Sequence, residues 1–292
     1  MIRFRSIAVL LVTALTAFAQ HASPQSASSP NLKDLVSVVQ QKARVLENSP
    51  AMRASFSSFT SSFHLNDRDV SYSDFVIVRL LFQATRDAGF WNLHWDITNQ
   101  PPNSDRIWKQ WKEERQPSFA LPTATAECDE LSALYAFLAK RSGVDGNGLF
   151  WPTYNHTVAV WVLKPEGRAP VRVVVPTTQI FLDETDFFGT RKFDPWHQKT
   201  ISTYSRHDVP DTFEIPKPLF DFFLLQIQKY AGASDNTLQK LRYLREGVFR
   251  STWSREAVAQ EAMKRSTDPS LSADDRAAYE NFARDMRAAP LR

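Results

Sequence analysis

The sequence predicts an α+β protein in which a helix that carries the only cysteine is followed by an antiparallel sheet. In residues 125–144 the apolar residues Leu131, Leu134 and Leu138 recur at helical spacing, and Gly143 stands where a helix is expected to end. Three later runs are rich in β-branched and aromatic residues, at 148–151, 156–163 and 171–175. Turn residues separate these runs, and short connections imply antiparallel neighbours. Helix followed by strands is the α+β pattern.

The first 22 residues have the pattern of a secretory signal peptide. Two arginines precede an apolar run at 7–19, and cleavage is expected after Ala19 or Ala22. No later stretch approaches the roughly 18 apolar residues that a membrane helix needs. We therefore expect a secreted or periplasmic bacterial protein, with no stable membrane insertion after signal cleavage.

Residues 23–115 are predicted to be an N-terminal helical region. A helix is expected over 31–47 with Asn31 as its N-cap, and another over 71–88 with Ser71 or Ser73 as its cap. Residues 51–63 are rich in Ser and Phe, and their pattern does not decide which secondary structure they form. The pattern at 105–115 favours a short helix.

The core region is predicted to span 116–215 and a C-terminal helical region 216–292. Helical periodicity recurs four times in the C-terminal region. The predicted helices cover 218–230, 236–249, 255–265 and 273–288, the last capped by Ser272.

Composition excludes several classes of function. The formal charge is only +3 and the cations form no stripe, so no nucleic-acid partner is expected. The six histidines show no metal-ligand spacing, and the eight glycines form no phosphate-binding loop, so we expect neither a metal nor a cofactor. A single cysteine also cannot form an internal disulfide bond.

Cys128 is the candidate nucleophile because it lies at the start of the predicted helix. Unpaired N–H groups and the helix dipole favour a thiolate at such a position. Glu127, Asp129 and Glu130 oppose the thiolate, although acidic residues also suit a helix N-terminus in general. The alternative is a buried cysteine that serves as a small apolar residue.

His156 is the candidate acid and base. If Val158 and Val160 face the core, His156 shares their face at the start of a strand, and a helix packed there brings Cys128 to the imidazole. Such an imidazole accepts the thiol proton and later protonates the leaving amine. The alternative is a histidine at a strand end that is bonded only to its neighbours.

Three segments together resemble the transglutaminase-like superfamily. They are Glu127-Cys128-Asp129-Glu130-Leu131-Ser132-Ala133-Leu134 with its Gly143-Val144 ending, Asn155-His156-Thr157-Val158-Ala159-Val160-Trp161, and Val174-Val175-Pro176-Thr177-Thr178. The resemblance covers about 116–179. It implies a papain/transglutaminase-like core, with the cysteine helix packed on the sheet, and a cysteine peptidase or amidase. The implied substrate is a peptide or protein, and cell-wall peptides fit the expected compartment.

One position departs from the family pattern, because Val175 stands where the orienting aspartate is usual. Gln179 is the first candidate for a substitute acceptor, and Asp183 and Asp186 are the nearest downstream carboxylates. Losing an orienting acid can reduce the rate by about four orders of magnitude. A catalytically inactive binding module of the cell envelope and a protein cross-linking acyltransferase therefore remain as alternatives.

Overall fold

A computed structural model describes ten ranges of the chain. They are 30–85, 93–94, 112–115, 122–125, 128–153, 156–177, 212, 214, 217–249 and 251–288. The predicted signal peptide lies outside these residues. The described ranges contain eight helices and two three-stranded sheets, which confirms the α+β class.

Three helices form the N-terminal part: α1 (Leu32–Leu46), α2 (Pro50–Phe63) and α3 (Tyr72–Thr85). Asn31 caps α1 as predicted, in a reciprocal capping box with Asp34. Ser71 accepts the Asp74 N–H and so caps α3.

The segment whose class the sequence left open is the helix α2. Ser49 caps it, Pro50 occupies its first turn, and His64 ends it in the left-handed conformation at φ 54°. Proline fits this position because its missing N–H has no helical partner there.

A small sheet is built from β1 (Leu93–His94), β2 (Lys112–Arg115) and β3 (Pro122–Thr125). β3 is central, parallel to β1 and antiparallel to β2. The helix predicted at 105–115 is wrong for its last four residues, which pair with β3 along their whole length. Helix propensity is a weak preference that such cross-strand pairing overrides. The remainder of that predicted helix lies outside the described residues.

The cysteine-bearing helix α4 (Cys128–Arg141) precedes a meander of β4 (Asn147–Thr153), β5 (His156–Leu163) and β6 (Val171–Val175). Both strand pairs are antiparallel, as predicted. Gly143 ends the helix with φ 98°, a backbone conformation that favours glycine.

Helix α4 packs on the face of the sheet that carries the odd-numbered residues of β5. Ala159 and Trp161 belong to the same core cluster as the α4 side chains. Val158 and Val160 lie on the opposite face and form a separate small cluster with Val174. The expectation that Val158 and Val160 face the helix is therefore wrong, and α4 covers the other side of the strand.

Four helices complete the described fold and confirm the predicted ones within one residue at each end: α5 (Lys217–Tyr230), α6 (Asp235–Phe249), α7 (Arg255–Ser266) and α8 (Ala273–Ala288). Ser272 caps α8 by accepting the Asp275 N–H. Side chains of these helices share one core with α1, α3 and α4. Within the described ranges, no helix combines the length and the apolarity needed to cross a membrane. The three predicted regions at 23–115, 116–215 and 216–292 stay a prediction.

Candidate functional site

Both residues of the predicted catalytic pair open an element of the fold. α4 begins at Cys128 and β5 begins at His156. The two elements pack against each other through the helix-facing side of the sheet. The positions of the pair along the chain are therefore set by where one helix and one strand start.

A hydroxyl cluster made of Ser132, Thr157 and Thr177 joins these two starts. The Ser132 Oγ donates to the Thr157 carbonyl oxygen at 3.2 Å and lies 3.0 Å from the Thr177 Oγ1. All three residues are at most 3% exposed. Because buried hydroxyls are costly without partners, this cluster fixes the helix against the sheet at one place.

The hydroxyl cluster brings the backbone positions of the two candidate residues close together in space. Cys128 precedes Ser132 by one helical turn, about 6 Å of rise, and shares its face of the helix. His156 is the chain neighbour of Thr157, whose carbonyl Ser132 binds. The start of α4 and the start of β5 thus meet at the same corner of the fold.

Strand alternation does not by itself direct position 156 toward the helix. Position 156 is even-numbered like Val158 and Val160, and these two valines lie on the face of the sheet opposite α4. The pairing of β4 with β5 shifts register at this end, between Phe150 opposite Val158 and Thr153 opposite His156. A register shift of this kind bends and twists the strand pair, and such bulges re-aim side chains beside active sites.

Pro152 lies within the shifted part of β4. Proline cannot donate to a sheet ladder and is therefore found at edges and bulges. The sequence of β4 thus encodes the irregularity that faces the start of β5.

The position at which the sequence resemblance would place an aspartate is apolar and buried. Val175 ends β6 opposite Ala159 and is fully buried in the main core. Gln179, the candidate third residue, lies outside the described residues, as do Asp183 and Asp186. The described residues therefore supply no carboxylate at the position where the resemblance would place the orienting acid.

Polar contacts also hold the middle of α4 and the loop that follows the helix. The Tyr135 hydroxyl donates to the Asn147 Oδ1 at 2.9 Å, and the Trp161 Nε1 donates to the Asp145 carbonyl oxygen at 3.2 Å. Burial raises the pKa of Tyr135 well above its usual value, so its hydroxyl stays protonated and remains a donor. The helix is consequently held to the sheet by side-chain hydrogen bonds at Ser132 and at Tyr135.

Sequence reasoning missed the hydroxyl cluster, although the signal was present. Ser132 follows Cys128 at i+4, Thr157 follows His156 directly, and Thr177 belongs to the Pro-Thr at the end of β6. Within the ranges that the structure describes, no group of three or more His, Cys, Asp or Glu residues is placed to hold a metal ion.

Comparison of the chain with protein-family models, curated proteins and solved structures finds no match.

Proposed function

We propose that this protein is an exported cysteine hydrolase, a peptidase or amidase of transglutaminase-like type. Cys128 is its nucleophile and His156 its acid and base. The observation that carries the proposal is the hydrogen bond from Ser132 to the Thr157 carbonyl, which holds the start of α4 beside the start of β5. The order of Cys helix, His strand and Pro-Thr strand in the sequence supports the same assignment.

The chemistry follows from a thiol and an imidazole held together. His156 takes the thiol proton, and the thiolate attacks an amide or ester carbonyl to form a C–S bond. Collapse of the tetrahedral intermediate breaks the C–N or C–O bond, and the imidazolium protonates the leaving group. Water, deprotonated by the imidazole, then attacks the thioester, releases the acid and restores the thiol.

The helix start supplies favourable electrostatics for this reaction. Cys128 is the first residue of a 14-residue helix, and the positive end of a helix dipole stabilises a nearby thiolate. Backbone N–H groups in the same first turn can donate to the oxyanion of the tetrahedral intermediate. These donors are valuable because they exist before the substrate binds.

The substrate class and the location follow from the sequence pattern. A thiol hydrolase behind a secretory signal peptide would act on peptides or proteins outside the cytoplasm, and cell-wall peptides and exported proteins both fit that compartment. Secreted or periplasmic location is part of the proposal. An amine in place of water would make the same acyl-enzyme a cross-linking acyltransferase.

The competing proposal is a catalytically inactive binding module that keeps this arrangement of elements. It is favoured by the buried Val175 at the acid position and by the parity of position 156. The two proposals differ in the reactivity of one thiol. An enzyme needs a thiolate that depends on His156, whereas a binding module needs only a packed Cys128.

The deciding experiment measures the rate of Cys128 alkylation by iodoacetamide against pH in the folded protein. The wild type is compared with His156→Ala and with the control His64→Asn. His64 is exposed at the end of α2 in a left-handed conformation that asparagine tolerates. We expect a midpoint well below the roughly 8.5 of a free cysteine, unchanged in the control and lost in His156→Ala.

A second readout tests the acyl-enzyme directly. An activated ester should add one acyl group to the wild type, detected by intact mass, and none to Cys128→Ala. Alkylation that begins only when the protein unfolds, with no acylation, would overturn the hydrolase and leave the binding module.

A further inference from the structure

The hydrogen bonds of the hydroxyl cluster run in one direction. The Ser132 Oγ lies 3.2 Å from the Thr157 carbonyl oxygen and 3.0 Å from the Thr177 Oγ1. A carbonyl oxygen can only accept a hydrogen bond, and a hydroxyl carries a single hydrogen. The hydrogen of Ser132 is therefore used on the Thr157 carbonyl, and the Thr177 hydroxyl is the donor to the Ser132 oxygen.

Thr177 reaches Ser132 from the third element at this corner of the fold. It lies two residues beyond the end of β6, where Val175 pairs with Ala159 of β5. Continuing that antiparallel register by two residues places Thr177 opposite Thr157. Thr177 is only 1% exposed, so water does not readily replace its bond to Ser132. The cluster thus joins α4, β5 and the end of β6.

The Ser132 hydroxyl has a competing acceptor within its own helix. A serine in a helix can donate to the carbonyl oxygen four residues earlier, which for Ser132 is the carbonyl of Cys128. A hydroxyl in that arrangement no longer donates to β5. Donation from Thr177 stabilises the arrangement in which Ser132 faces the sheet, and it therefore favours the bond between α4 and β5.

We propose that Thr177 is a positioning residue for the proposed pair of Cys128 and His156. Its hydroxyl keeps the Ser132 hydroxyl on the Thr157 carbonyl, and that bond sets the start of α4 against the start of β5. This role rests on the proposed function, because it has a meaning only if the two starts act together. The end of β6 thereby supports the pair through the backbone of β5, without a carboxylate.

The test measures Cys128 alkylation by iodoacetamide against pH in variants of Thr177. Thr177→Val keeps the β-branched shape but removes the donor, and Thr177→Ala removes the same donor with a smaller side chain. Thr177→Ser keeps the donor. The matched control is Thr157→Val, because the bond from Ser132 uses only the main-chain oxygen of that residue. Circular dichroism checks that each variant is folded.

We expect the donor-free variants to lose part of the thiolate stabilisation. The alkylation midpoint of Thr177→Val and Thr177→Ala should rise by about one pH unit or more toward the roughly 8.5 of a free cysteine. Alkylation at a pH below both midpoints should therefore be about tenfold slower than in the wild type. Thr177→Ser and Thr157→Val should keep the wild-type midpoint.

A merely structural role for Thr177 gives a different result. It would make Thr177→Val and Thr177→Ala less stable in urea and leave their alkylation midpoints unchanged, and this outcome would overturn the proposal. An equal rise of the midpoint in Thr157→Val would overturn it as well. If the wild type itself shows no low midpoint that depends on His156, the proposed function fails, and the role of Thr177 fails with it.

Discussion

Replacing Ser132 by alanine tests whether the hydroxyl cluster fixes α4 against the sheet. The substitution removes one buried oxygen and with it the contacts to the Thr157 carbonyl and the Thr177 hydroxyl. A neutral hydrogen bond contributes about 1 kcal/mol, and a buried group left without a partner costs about 1–3 kcal/mol. With two such partners affected, we expect the free energy of unfolding to fall by about 2–4 kcal/mol. Urea denaturation at pH 7 measures this loss in the free energy of unfolding.

Ser142 provides the matched control for this change. It lies just beyond the other end of α4 and is 5% exposed, but its buried Oγ has no hydrogen-bond partner. Ser142→Ala deletes the same atom and should therefore leave stability unchanged or raise it slightly. A loss below about 0.5 kcal/mol for Ser132→Ala, or equal losses for both variants, would refute the reasoning.

Two further predictions concern the C-terminal helices. Burial raises the pKa of Asp275, but hydrogen bonds from Ser234 and Ser272 outweigh it and hold that pKa below its usual value. The ionised carboxylate therefore stabilises the fold above the unfolded pKa of about 3.9, and its contribution disappears as the pH falls through the lower folded value. In urea denaturation Asp275→Asn should be about 1–3 kcal/mol less stable than the wild type at pH 7. Near pH 2 the stabilities of the two proteins should be closer. A stability difference that does not vary with pH would contradict the prediction. Gly247→Ala should destabilise because the new Cβ would overlap the Trp253 ring. Glycine to alanine in a helix otherwise usually gains up to about 1 kcal/mol. Displacement of that indole is measured as a shift of its fluorescence, taken as the difference from Trp253→Phe, and unchanged emission with a gain in stability would reject the close contact.

The sequence predicted the C-terminal helices closely because their ends are marked by side-chain chemistry. Ser272 caps α8, and the apolar residues of each helix recur on one face. Ser254 similarly accepts the Ala257 N–H at the start of α7. Local capping bonds and amphipathic periodicity are both visible in a sequence, so the bounds could be placed within one residue.

Elements whose structure depends on a distant partner were harder to predict. The run at 112–115 is charged and has no strand periodicity, yet it pairs with β3 ten residues further on. Helix α2 mixes serine with phenylalanine, and its moderate propensity gave no decision between classes. For β2 the deciding contact is the pairing with β3, of which the local sequence carries little record. For α2 the local signals were present at its start, in the cap Ser49 and in Pro50.

The sequence predicted where the candidate residues lie along the chain, but not which face of β5 the helix α4 covers. The sequence placed Cys128 at a helix start and His156 at a strand start, and both starts are found. The run Val158-Ala159-Val160-Trp161 is apolar throughout because both faces of β5 are buried. Without a polar side there is no alternation from which to read which face the helix covers.

The register shift of β4 bears directly on how the proposed pair can form. A regular β5 would set position 156 on the face of Val158, away from α4, while the Ser132 bond draws the adjacent Thr157 toward the helix. Opposite this junction β4 carries an extra residue beside Pro152. The extra residue lies opposite the start of β5, where the proposed mechanism places its imidazole. The proposed hydrolase requires position 156 to turn toward α4, and the register shift lies at that position.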